Sequence, residues 1–226
     1  MTTIEDRDLN LTIRGTELQI AVLGDLNADY PAVAFAAKAR ERILEAARAF
    51  TARDREIATS RGLTDLERAG LNVKNANQQL AKLDGASKLA EAAKTRIGEL
   101  EGKLRPATDP WSSDSELSVD LALAGRVEGW SPERRAAFLG ELEDGGAQIE
   151  RVAIAVARTA RVVSLDQAFA ARVVEHLYES RNAPTLAELR DSRIAASRIA
   201  RSIAEVGRAI EQTVAQDRQR AAVATA

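Results

Sequence analysis

Residues 31–57, PAVAFAAKARERILEAARAFTARDREI, decide the fold. Within them Val33, Ala36, Ile43, Ala47, Phe50 and Ile57 recur at spacings that place them on one face of an α-helix. The same rhythm returns twice. Leu66, Val73, Ala76, Leu80 and Leu83 carry it, and Ala93, Ile97, Leu100 and Leu104 continue it beyond Gly85 in a shifted register. Leu189, Ala196, Ile199, Ile203, Val206 and Ile210 carry it near the end of the chain. A seven-residue apolar repeat gives each stretch an edge built to pack against another helix. The expected fold is therefore mainly all-α.

Working outward, Asp29 is an N-cap candidate, and Pro31 is tolerated in a first helical turn. Gly62 supplies a stop for this first long helix. Thr64 and Glu67 have capping-box spacing, so a second long helix is expected from there to Leu104, with Asp84-Gly85 as a point of kinking. The short connection folds residues 29–104 into a long antiparallel helical hairpin. Pro106, Pro110, Trp111 and a Ser/Asp cluster mark residues 105–115 as a linker. Residues 116–226 read as a bundle of shorter helices ending in a long one. That last helix is expected to open after Pro184, where Thr185 and Glu188 repeat the capping-box spacing, and the tail 218–226 is expected to fray. Residues 1–28 differ. Leu9, Leu11 and Ile13 alternate with polar residues, as do Leu18, Ile20 and Val22, and Gly15 lies between the two runs. A helix from Thr16 to Leu26 competes, but the period of two favours a short β-hairpin.

The composition of the 226 residues is 45% hydrophobic but only 4% aromatic. Alanine-rich faces let helices approach closely at the expense of a thick core, so a rod or bundle is expected. The absence of Cys excludes disulfides, thiolate zinc sites and a Cys nucleophile. Charges balance as far as Leu104, and the net −2 arises beyond it. No domain-wide basic field marks a nucleic-acid binder. No run approaches the roughly 20 apolar residues of a membrane span, and Met1–Asp8 is unlike a signal peptide, so a soluble protein is expected.

The motif search points away from an enzyme. No Gly-rich loop ends in Lys-Ser or Lys-Thr, and the single His176 lies near Arg172, Glu175 and Glu179 on a predicted helix. Glu141, Glu143 and Asp144 offer too few oxygen ligands for a calcium loop. Asn10-Leu11-Thr12 matches a glycosylation acceptor without a secretory signal. No catalytic residue, cofactor or metal is expected. Arg190, Arg193, Arg201 and Arg208 fall opposite Ile203 and Ile210, and Arg218 and Arg220 follow. Such a row could track phosphates or clasp carboxylates on a partner helix. Asp191, Glu205 and Glu211 flank it, and no aromatics are interleaved for base stacking, so a solvated face is favoured over nucleic acid. Trp130 precedes Ser131-Pro132 as a staple candidate, and Trp111 is a candidate partner anchor.

The stretch Gly129–Leu139, GWSPERRAAFL, with acidic residues and Gly145-Gly146 after it, resembles a segment in uncharacterised helical proteins of tailed bacteriophages. In those, Ser-Pro-Glu-Glu-Arg opens an Ala-Phe-Leu helix, and the genes lie among virion genes. Here Arg134 replaces the second Glu, and Gly145-Gly146-Ala147 lacks the acidic residue often found there. The resemblance covers Leu121–Leu189 at most and transfers no functional residues. It implies a virion-associated or assembly role, in the virion or the host cytoplasm. The expected function is a non-enzymatic structural or assembly subunit of a phage. Its partners would be other copies of itself and other structural proteins, met through helix–helix oligomer contacts. The alternative is a cellular helical adaptor or regulator in the bacterial cytoplasm, and behind it a nucleic-acid-associated protein using the Arg row.

Overall fold

The computed structural model describes residues 4–6 and 9–224. It is 75% helical, with a single two-stranded sheet among the described residues. Strands β1 (Asn10–Ile13) and β2 (Thr16–Gln19) pair antiparallel, with Asn10 opposite Gln19 and Ile13 opposite Thr16. The hairpin wins over a helix at 16–26 because Arg14 and Gly15 close it with φ of +43° and +85°. Two left-handed residues give a two-residue turn the twist of its strands. Leu9, Ile13, Leu18 and Ile20 are buried on the inner face, while Asn10, Thr12, Glu17 and Gln19 are exposed.

Helix α1 spans Pro31–Thr59 with the proline in its first turn. Its N-cap is Tyr30 rather than Asp29, without a side-chain cap bond. Gly62, at φ +85°, turns the chain toward α2 (Asp65–Glu101). There the capping box forms: the Glu67 amide donates to Thr64 Oγ1 at 3.3 Å, and the Thr64 amide donates to the Glu67 carboxylate at 2.8 Å. Helix α2 runs unbroken through Gly85, where Arg42 Nη1 donates to the glycine carbonyl at 3.1 Å. A Cβ at Gly85 would lie 2.7 Å from that nitrogen, so glycine admits the guanidinium.

The register of α2 differs from expectation. Its buried seam is Ala69, Asn72, Ala76, Gln79, Leu83, Ala86, Ala90, Ala93 and Leu100, one unshifted heptad pattern. Leu66, expected on the stripe, is 63% exposed, and Val73 and Leu80 are only half-buried. Small and amide side chains occupy the centre because they allow close helix approach, while larger apolar residues flank it.

Helices α3 (Asp114–Glu128), α4 (Pro132–Asp144) and α5 (Ala147–Thr159) follow. Ser113 and Ser131 cap α3 and α4 by accepting from the amides of Glu116 and Arg134. Gly145 and Gly146, at φ +79° and +146°, break α4 from α5. Helix α6 is one helix over Gln167–Ala224, with Pro184 inside it. The expected start after Pro184 is therefore corrected. Proline removes one backbone bond, to the Ser180 carbonyl, but residues 180 and 184 are exposed, where water can replace it. Glu188 meets Arg96 at 3.2 Å instead of closing a capping box with Thr185. The expected fraying of the tail is corrected over 218–224, where α6 stays helical with Ala221 buried, and 225–226 lie outside the described residues.

The chain forms two compact units, residues 1–102 with 187–226, and residues 103–186. The expected bundle at 116–226 is thus divided after Leu186. In the first unit Ile13, Ile20, Leu23, Val33, Ile43, Phe50, Leu83, Ile199, Val206 and Ile210 share one core. In the second, Val127, Phe138, Leu142, Val156, Phe169, Val173 and Leu177 share another. Trp130 packs on Phe138 at 5.2 Å between ring centroids. The Arg134 guanidinium lies 4.9 Å from the centre of its ring, so Trp130 packs back on the helix it precedes. No described helix is long and apolar enough to cross a membrane.

Candidate functional site

The Arg row lies on α6 with Arg190, Arg193, Arg201 and Arg208 all exposed, and Ser197, Ala200 and Ala204 exposed between them. Its members are not equivalent. Arg193 Nη2 donates to Glu101 of α2 at 2.6 Å, and Arg190 Nε meets its neighbour Asp191 at 3.3 Å. Arg208 Nε donates only to the Ala204 carbonyl, at 3.2 Å, and Arg201 has no partner among the described residues. Half of the row is therefore tied to the protein's own carboxylates, and Arg201 and Arg208 retain charge available to a partner.

Trp111, expected to anchor a partner, is held inside its own unit. Its indole N–H donates to Asp120 Oδ2 at 2.9 Å, and the ring is half-buried. Asp120 is fully buried on α3 and also meets Arg151 at 2.5 Å and Arg158 at 3.2 Å, both from α5. Arg158 further contacts Glu116 at 2.5 Å. That bond, with donation from the Ser112 amide and hydroxyl, holds the Glu116 carboxyl down to about 2. Buried Asp120 and half-buried Glu116 on α3 thus collect two guanidiniums and an indole, which fastens the 105–115 segment and α5 to α3.

Beside this cluster two hollows of about 380 and 280 Å³ share Glu150, Leu177 and Ser180. Asp109, Arg158 and Arg181 line the first, and Glu143, Gly146 and His176 line the second. Ser180 Oγ lies 3.3 Å from His176 Nε2, one turn away on α6. No carboxylate is bonded to that imidazole among the described residues, so nothing orients it as a general base. Glu141, of the acidic run before Gly145, is bonded to Arg134 at 2.5 Å. Among the described residues no three of His, Asp and Glu are grouped closely enough to hold a metal ion.

A second polar cluster, in the other unit, was not legible in the sequence. Arg14, at the hairpin turn, donates from Nε and Nη2 to Asp54 of α1 at 2.9 and 2.5 Å, and from Nη1 and Nη2 to Asp217 of α6. Asn72 Nδ2 of α2 donates to Asp217 Oδ2 at 2.6 Å. Arg14 therefore ties α1 and α6 to the hairpin, Asn72 adds α2 through Asp217, and the two carboxylates push the Arg14 pKa up despite partial burial. The signal available was a set of polar residues at heptad positions: Asp54 lies seven beyond Ala47, and Gln79 seven beyond Asn72. No known protein family, curated protein or solved structure matches this chain.

Proposed function

We propose that the chain is a non-enzymatic structural or assembly protein, a virion-associated subunit of a tailed phage that works through helix–helix contacts with other copies. One observation carries this reading. The outward face of α6 presents Arg201 and Arg208 without carboxylate partners, with the small residues Ser197, Ala200 and Ala204 beside them. Small side chains let a second helix approach, and unpaired guanidiniums suit carboxylates on it. The phage context rests on the resemblance around Gly129–Leu139.

Sedimentation analysis over a range of concentrations tests the contact. Wild type is expected to associate, and Arg201→Glu with Arg208→Glu is expected to shift the midpoint at least tenfold toward the monomer. A wild type that stays monomeric at high concentration rejects the reading. Wild-type DNA binding that the double variant loses would instead favour the nucleic-acid reading. Detection of the protein in purified virions, in many copies, tests the assignment to a phage.

A further inference from the structure

The outward face of α1, in the first unit, holds a shallow hollow of about 590 Å³. Glu41, Leu44, Glu45, Arg48, Ala49 and Ala52 line it, and Leu44 is only half-buried there. Two charges on this face are unused: Lys38 and Glu41 are exposed and have no partner among the described residues. Glu45 holds Lys82 at 2.9 Å, and Arg48 is engaged within the chain. The outward face of α6 leaves the opposite pair. Glu211 is exposed without a partner among the described residues, and Arg208 reaches only the Ala204 carbonyl.

The two faces share one spacing. Residues 38, 41, 45, 49 and 52 step by three, four, four and three, and so do 197, 200, 204, 208 and 211. Such steps keep each set on one side of its helix. Laid antiparallel, Ser197 meets Ala52, Ala200 meets Ala49, Ala204 meets Glu45, Arg208 meets Glu41 and Glu211 meets Lys38. All four unused charges are answered, and small side chains oppose each other where the helices come closest. Laid parallel, Lys38 meets Ser197, Arg208 meets Ala49 and Glu211 meets Ala52, so no charge is answered. The antiparallel register leaves one like pair, Arg201 opposite Arg48. Glu45 lies about 4.5 Å along the axis from Arg48, close enough for the long Arg201 side chain to lean toward it.

We infer that the outward face of α1 is the surface on which α6 of a second copy docks, antiparallel, through Arg208–Glu41 and Glu211–Lys38 pairs. The inference rests on the assembly reading and names the other half of its contact. A second copy is the occupant because the chain itself carries the charges and the small residues that complement this face.

The test is sedimentation of the full chain as wild type, as Glu41→Arg, as Arg208→Glu and as an equimolar mixture of the two variants. Both positions are exposed and lack ion pairs within the chain, so both variants are expected to melt as wild type does. Each variant alone opposes like charges and is expected to associate about tenfold or more weakly than wild type. In the mixture α1 of either variant meets α6 of the other with opposite charges, so the midpoint is expected to return close to the wild-type value. A midpoint that moves in Arg208→Glu and not in Glu41→Arg overturns the role of α1 and leaves the assembly reading standing. So does a mixture that stays as weak as its components. A wild type that remains monomeric overturns both.

Discussion

Arg14 is the one described non-glycine residue with positive φ, and it occupies the turn that a hairpin usually gives to Asn or Gly. Two opposing effects meet there. Left-handed backbone at such a residue costs about 1–3 kcal/mol. Removing a buried ion-pair partner costs about 3–5 kcal/mol, and partial solvent exposure of Arg14 reduces that. Arg14→Asn suits the turn and abandons Asp54 and Asp217, so a net loss of about 1–3 kcal/mol is expected by chemical denaturation. Equal or greater stability would show that the turn strain outweighs the clamp. Glu116 gives a second prediction at this scale. Its carboxyl is held at about 2 in the fold, below its ordinary 4.5. It therefore contributes stability that is complete above pH 4.5 and is lost as pH falls from there through about 2. In Glu116→Gln the acid limb of the stability profile is expected to flatten in that window. An unchanged slope would mean that Arg158 and Ser112 do not discriminate between its protonation states.

At the scale of elements, local signals were legible where one residue's chemistry decides an end. Thr64 with Glu67, Ser131 with Pro132, and the Gly145-Gly146 break all act as their sequence suggests. Thr64→Ala is expected to cost about 1 kcal/mol, measured as a lower denaturation midpoint, because it removes a cap that satisfies the Glu67 amide. Signals that depend on tertiary packing were not legible. Apart from Leu83 and Leu100 the α2 seam consists of alanines, Asn72 and Gln79, while the larger Leu66, Val73 and Leu80 lie off its centre. Trp111 looked like an anchor for a partner because its own partner, Asp120, is buried and nine residues away. Pro184 with the Thr185–Glu188 spacing looked like a helix start, yet α6 passes through it and Glu188 turns to Arg96. A proline inside a helix costs about 3 kcal/mol relative to alanine. Pro184→Ala is accordingly expected to raise stability, by up to that amount. A loss of stability in this variant would show that α6 depends on the fixed proline geometry.

The whole chain leaves its first unit at Gly102 and returns at Ala187, so residues 103–186 form an insertion with a core of their own. Separate cores predict separate opening, since each unit's apolar burial is local to it. Phe138 is fully buried, packs at a tilt against Trp130 and Phe169, and belongs wholly to the second core. Phe138→Ala is expected to cost that core about 3–5 kcal/mol. Hydrogen exchange read by mass spectrometry should then quicken in α3, α4, α5 and the first part of α6, and stay unchanged in α1 and α2. Within α6 the change in protection should fall near Pro184, where one backbone bond is already missing and the helix is weakest. If α1 and α2 exchange faster by the same factor, the two cores open as one cooperative unit, and the continuous helix that serves both is strong enough to couple them.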